Sequence, residues 1–185
     1  MPLLAGVPRC IFSNYEGYKR AMQIANSPSV GICLCCGTWL EGGKKLTGKD
    51  PEEMIRAFGA KKIWKIHFRN VSAPLPHFVE TFMDNGYYDM WKTMKALRDV
   101  DFDGIVILDH SPAMVGGNYT QTAYGFAYMK ALLNRAKRRG LKSSISSSIS
   151  STPARRTPWH PGARCRAAAR APHAASRLRM HVAVL

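Results

Sequence analysis

The stretch Val30-Gly31-Ile32-Cys33-Leu34-Cys35, closed off by Pro28 on one side and Gly37 on the other, decides how the chain is read. It is short, nearly all apolar and does not alternate with polar residues, the pattern of a strand buried on both faces. Two more runs have the same texture, Ile63 to Phe68 and Gly104 to Leu108. Helical patterns separate them. Ser13-Asn14-Tyr15-Glu16 has the form of a capping box with Ser13 as the cap, and Tyr15, Tyr18, Met22 and Ala25 follow at helical spacing up to the stop at Asn26-Ser27-Pro28. Asp50-Pro51-Glu52-Glu53 places a cap, a first-turn proline and acids at a second helix start, which Gly59 ends. Met90, Met94 and Leu97 mark a third helix, and a fourth is expected from near Thr120 toward Lys137. Helices alternating with apolar strands predict an α/β fold with a parallel sheet covered by helices.

The chain has 185 residues and a net charge of +15. A charge of that size suggests a polyanionic partner, because clustered lysine and arginine release counterions from phosphate. Its placement argues otherwise. Residues 143–185 hold seven arginines and no acid, Arg135 to Lys142 adds five basic residues, and residues 1–134 carry 15 basic against 12 acidic side chains. The expectation is therefore a near-neutral domain over residues 1–142 and a low-complexity basic tail over 143–185, too poor in apolar residues to offset its ordering entropy and expected to be disordered. The tail has one aromatic residue, Trp159, and no nucleic-acid motif, so no nucleic-acid partner is expected. No run reaches the roughly 18 to 20 apolar residues of a membrane span, and no secretory leader opens the chain. Five cysteines, three of them crowded at Cys33, Cys35 and Cys36, then point to a reduced cytoplasmic setting without disulfides.

Parallel sheets with helical crossovers present the C-terminal ends of all strands on one edge, where such folds place their sites. Cys35 closes the first strand, His67 lies near the end of the second, and Asp109-His110 follows the third. Thiol, imidazole and carboxylate are together a donor set for a divalent transition metal. Each has a plainer reading as well. Cys35 alone can be a small buried hydrophobe, more so Cys33 and Cys36, and His67 can be a satisfied sheet histidine. Asp109 is harder to explain without a partner, since a buried carboxylate needs one. Arg69 and Asn70, just past His67, can hold a substrate carboxylate or be a solvated pair. Glu80, Asp84 and Asp89 are candidates for support, with helix capping the alternative for Asp89.

Four ordered segments carry a family resemblance: Gly31 to Trp39; Lys65-Ile-His-Phe-Arg-Asn-Val71; Phe78 to Phe82 with Gly86-Tyr-Tyr-Asp-Met90; and Asp109-His110 through Ala123 to Leu132. They resemble the C-terminal half of mannonate dehydratase over about residues 2 to 140. The resemblance implies the C-terminal portion of a (β/α)8 TIM barrel of the sugar isomerase and epimerase type. It also implies dehydration of D-mannonate to 2-dehydro-3-deoxy-D-gluconate in glucuronate catabolism, with manganese as the expected metal and iron or magnesium as alternatives. On the matching positions, Cys35, His67 and Asp109 are metal ligands and His110 is a catalytic histidine. A catalytic tyrosine is implied just downstream, for which Tyr119 and Tyr124 both qualify, and Arg69 and Asn70 are expected to contact the substrate.

The departures bear on activity. The family carries a further metal-binding histidine in a His-Pro-Asp-Asp-Pro-Pro segment upstream of the residues matching Met1 to Leu4, and Leu108 stands where the family usually has proline. A complete barrel takes about 250 residues. The chain as given is therefore expected to bind metal more weakly, to show little or no dehydratase activity, and, with its edges open, to aggregate, pair with another copy or remain loosely packed. Two alternatives remain: a sugar isomerase or epimerase of the same barrel type, which the cysteine ligand disfavours, and a non-enzymatic basic protein or aberrant translation product, which the abrupt change at Ser143 motivates.

Overall fold

A computed structural model describes residues 12–117, 119–150 and 181–183, with side chains outside 139–150 and 181–183. In chain order the elements are α1 (Tyr15–Ala25), β1 (Ile32–Cys35), α2 (Cys36–Thr47), α3 (Pro51–Phe58), β2 (Ile63–His67), β3 (Asn70–Val71), β4 (Glu80–Thr81), α4 (Met90–Asp99), β5 (Ile105–Ile107), α5 (Thr120–Ser150) and β6 (His181–Ala183). The main sheet runs β1-β2-β5-β6 with every pair parallel, and β3 and β4 form a separate antiparallel pair. This is the expected helix-covered parallel sheet. It is open, with four strands, and no closed barrel forms among the described residues.

Local chemistry accounts for the element ends. α3 starts with Asp50 and Glu53 bonding reciprocally as a capping box and Pro51 in the first turn, and Gly59, at φ +68°, ends it. The cap of α1 is Asn14, whose side chain accepts from the Gly17 amide, so the expected role of Ser13 moves by one residue. α2 was not expected. Gly37, Gly42 and Gly43 lower helix propensity, and Gly43 does leave helical geometry (φ +61°), but Trp39 and Leu40 are buried and hold the segment onto the core.

The expectation of strands buried on both faces needs correction. Leu34, Ile66 and Val106 share one row of the sheet and are buried, whereas Cys33, Lys65 and Ile105 share a row in which Cys33 and Ile105 are exposed. Side chains alternate across a strand, and α3, α4 and α5, packed in that order, share one core with the buried row. The row Cys35, His67 and Ile107 has the same parity as the exposed row, so the strand ends carry their functional side chains on the side away from the main core. The expected disorder from residue 143 falls mostly outside the described residues. Within them, α5 continues to Ser150, and His181–Ala183 pairs with β5. Extending an existing helix costs far less than nucleating one, and β5 otherwise leaves an unpaired edge.

Beneath the strand ends, Asn70 is fully buried; its amide donates to the carbonyls of Met83 (3.0 Å) and Tyr88 (2.7 Å) and its oxygen accepts from the Val71 amide. Gly86 packs so closely on it that a Cβ there would lie 2.1 Å from Asn70 Cγ. Gly86→Ala should therefore destabilise by about 1–3 kcal/mol, the usual cost of overpacking a filled site, which a denaturant melt would read. A neutral effect would show that the Asn70 clamp yields freely.

Candidate metal centre

The register brings Cys35 beside His67 at the ends of β1 and β2, and Asp109 arrives two residues after β5. Ligand atoms of the three lie within 4.8 Å of one another. Cys35 Sγ is 3.3 Å from Asp109 Oδ2, and His67 Nδ1 is 3.2 Å from Asp109 Oδ1. Asp109 reaches both by adopting φ +51°, a left-handed conformation that aspartate tolerates better than most residues. Cys35 also caps α2: its sulfur accepts from the Thr38 amide (3.4 Å) and hydroxyl (3.2 Å) at the positive end of that helix.

The residues fit a divalent metal. The donors are one sulfur, one imidazole and one carboxylate, the mixture that suits a borderline cation. His67 turns Nδ1 toward Asp109, and its Nε2 is buried with no hydrogen-bond partner among the described residues. Such an atom is costly to bury unless something satisfies it.

Around this set lies a charge network that the sequence only half disclosed. Arg69, 4% exposed, gives Nε to Asp109 Oδ2 (2.9 Å), Nη1 to Glu80 Oε1 (3.0 Å) and Nη2 to Glu41 Oε1 (2.7 Å). Burial would raise the Asp109 pKa, but hydrogen bonds from Cys35 and Arg69, with the charges of His67 and Arg69, bring it below the ordinary carboxylate value. Burial likewise works against the Arg69 cation, and the bonds to Glu41 and Cys35 outweigh it, so its pKa is raised. Arg69 and Asn70, both expected to contact the substrate, are engaged within the chain. All three Arg69 nitrogens are engaged by carboxylates, and the Asn70 amide is spent on backbone.

His110 projects outward and its Nδ1 lies 2.8 Å from Glu80 Oε1, which leaves Nε2 on the Asp109 side, 3.8 Å from Oδ1. The Glu80 carboxylate holds the imidazole above the usual histidine range, with Asp109 adding to the effect. Since the folded pKa is raised, this contribution to stability is complete below about pH 6.5 and fades as pH rises through the folded value. In NMR titrations without added metal, the His110 midpoint should lie above 6.5 and Glu80→Gln should lower it. An unmoved midpoint would dissolve the pairing. Of the two tyrosines, Tyr119 is 81% exposed, whereas the Tyr124 hydroxyl donates to Asp84 Oδ2 and its ring meets Phe82 edge-on at 5.2 Å.

Glu41 and Thr38 were missed by the sequence reading. Their signal lies in spacing: Thr38 and Glu41 are three and six residues past Cys35, on one side of a helix that the glycines disguise. Asp89 does cap α4, its side chain accepting from the Trp91 amide, so its plainer reading is the one seen.

A thiol, an imidazole and a carboxylate at adjacent ends of a parallel sheet define an α/β protein with a candidate metal-binding group at its strand edge. The comparisons with known proteins narrow this class. The family model for D-mannonate dehydratase, UxuA, matches residues 1–152. The mannonate dehydratase of Thermotoga neapolitana is 34% identical over 137 residues, covering 69% of this chain and 34% of the relative, and that of Enterococcus faecalis is 34% identical over 145 residues, covering 71% and 38%. The crystal structure of mannonate dehydratase from Streptococcus suis serotype 2 superposes with a TM-score of 0.65 at 27% identity, covering 74% of this chain and 40% of that one. The chain belongs to the D-mannonate dehydratase family. It spans about a third of the length of the curated relatives it matches.

Proposed function

We propose that this chain contributes the metal-binding and proton-transfer edge of a (β/α)8-barrel hydro-lyase that dehydrates D-mannonate to 2-dehydro-3-deoxy-D-gluconate. The observation that carries the reading is the convergence of Cys35, His67 and Asp109 within 4.8 Å, with His110 directly next in the chain, in a member of this family. Cys35, His67 and Asp109 would hold the ion, manganese by preference, with iron or magnesium as alternatives. When bound, a divalent ion supplies Lewis-acid stabilisation of the charge that develops on a carboxylate as its α-proton leaves.

The chain's own groups account for the proton movements. Dehydration of a sugar acid needs a base for the C2 proton and an acid for the departing C3 hydroxyl. His110 has Nδ1 on Glu80, so Nε2 is the atom that exchanges a proton with substrate. Tyr124 is the second group, its phenol held by Asp84, with Tyr119 as the alternative. Free thiols at Cys33, Cys35 and Cys36 suit a reducing cytoplasm. No helix among the described residues is long and apolar enough to cross a membrane.

The test is linkage between ion and substrate. D-Mannonate should tighten Mn(II) binding to the chain by about tenfold beyond its chelation of the free ion, read by the loss of the free Mn(II) electron paramagnetic resonance signal. D-Mannose, which lacks the carboxylate, should not. Equal effects of the two sugars would overturn the assignment to a sugar-acid site.

A further inference from the structure

We propose that Arg69 is a positioning residue for the metal centre: by occupying Asp109 Oδ2 it keeps Asp109 a one-oxygen ligand through Oδ1. The inference rests on the metal reading above and adds a role for a side chain whose first reading was substrate contact.

The two Asp109 oxygens have different neighbours. Oδ2 receives Arg69 Nε at 2.9 Å and Cys35 Sγ at 3.3 Å, while Oδ1 faces His67 Nδ1 at 3.2 Å. The guanidinium is itself immobilised. Glu80 and Glu41 take its two terminal nitrogens at 3.0 and 2.7 Å, and the Thr38 hydroxyl lies 3.3 Å from Nη2. It lies against the first turn of α2, where Gly37 leaves room; a Cβ there would fall 2.3 Å from Arg69 Nε. A planar fork fixed at three nitrogens presents Nε in one direction only, which a lysine ammonium cannot imitate. Partners of this kind orient metal ligands and tune their donor strength.

Cobalt(II) gives a readout independent of turnover, because its d–d absorption weakens as coordination number rises. Released from Arg69, Asp109 can bind through both oxygens and add a ligand atom. Arg69→Lys retains the buried charge but cannot span three carboxylates, and Gly37→Ala displaces the guanidinium without removing it. Each variant, shown folded by circular dichroism, should bind cobalt with a loss of d–d intensity relative to the unaltered chain, while the Cys35 thiolate charge-transfer band persists. A folded Arg69→Lys chain whose d–d spectrum superimposes on that of the unaltered chain would overturn the proposal; if that variant does not fold, Gly37→Ala decides by the same comparison. Failure of the unaltered chain to bind cobalt would instead count against the metal reading itself.

Discussion

Arg69→Met should destabilise the fold by about 3 kcal/mol or more, the scale for removing one partner from a buried charge cluster. The arginine is 4% exposed and answers three carboxylates, of which Asp109 is 11%, Glu41 21% and Glu80 39% exposed. Methionine fills the space but leaves like charges facing one another. Glu80 is partly solvated and can relax toward water, so the penalty comes chiefly from Asp109 and Glu41. The pH dependence should identify the cause. In the unaltered chain the Asp109 pKa is lowered, so its stabilising contribution is present above about pH 4 and is lost as pH falls through the folded value. In the methionine variant, repulsion raises carboxylate pKa values, and protonation brings relief. The stability gap should narrow on acidification from pH 7 toward 4, measured by urea melts. A gap that stays constant would mean lost packing, not charge, is responsible.

Asp109→Asn should weaken Mn(II) binding by about a hundredfold or more, because loss of even a supporting partner costs 10- to 100-fold and this residue is proposed as a ligand. The amide retains the shape of the side chain and its left-handed backbone position, which asparagine tolerates as well as aspartate. What disappears is the negative charge between His67 and Arg69. Isothermal titration would read the change, with Asp103→Asn as a surface control. Undiminished affinity would place the metal elsewhere.

The fold was legible wherever local chemistry and burial agree. β1, β2 and β5 announced themselves as apolar runs, and α3 by Asp50, Pro51 and Gly59. α2 was hidden because its cap is a cysteine and its interior holds Gly42 and Gly43, so tertiary burial of Trp39 and Leu40 overrides a poor propensity. β3 and β4, two residues each, are too short to leave a period in the sequence. The same division holds at the centre. Cys35, His67 and Asp109 could be found because strand ends share an edge, a topological fact that needs no coordinates. The direction in which Arg69 points could not, since a residue just past a strand can turn outward to substrate or inward to the carboxylates. Glu41 lay concealed with α2, although its spacing from Cys35 is regular once the helix is granted.

Cobalt(II) titration of the intact chain, followed by thiolate-to-metal charge-transfer absorption, tests the metal centre most directly. A band that saturates at one equivalent, disappears in Cys35→Ser and weakens in His67→Ala is the predicted result. Absence of the band in a folded chain, or its persistence in Cys35→Ser, would contradict a centre built from Cys35, His67 and Asp109.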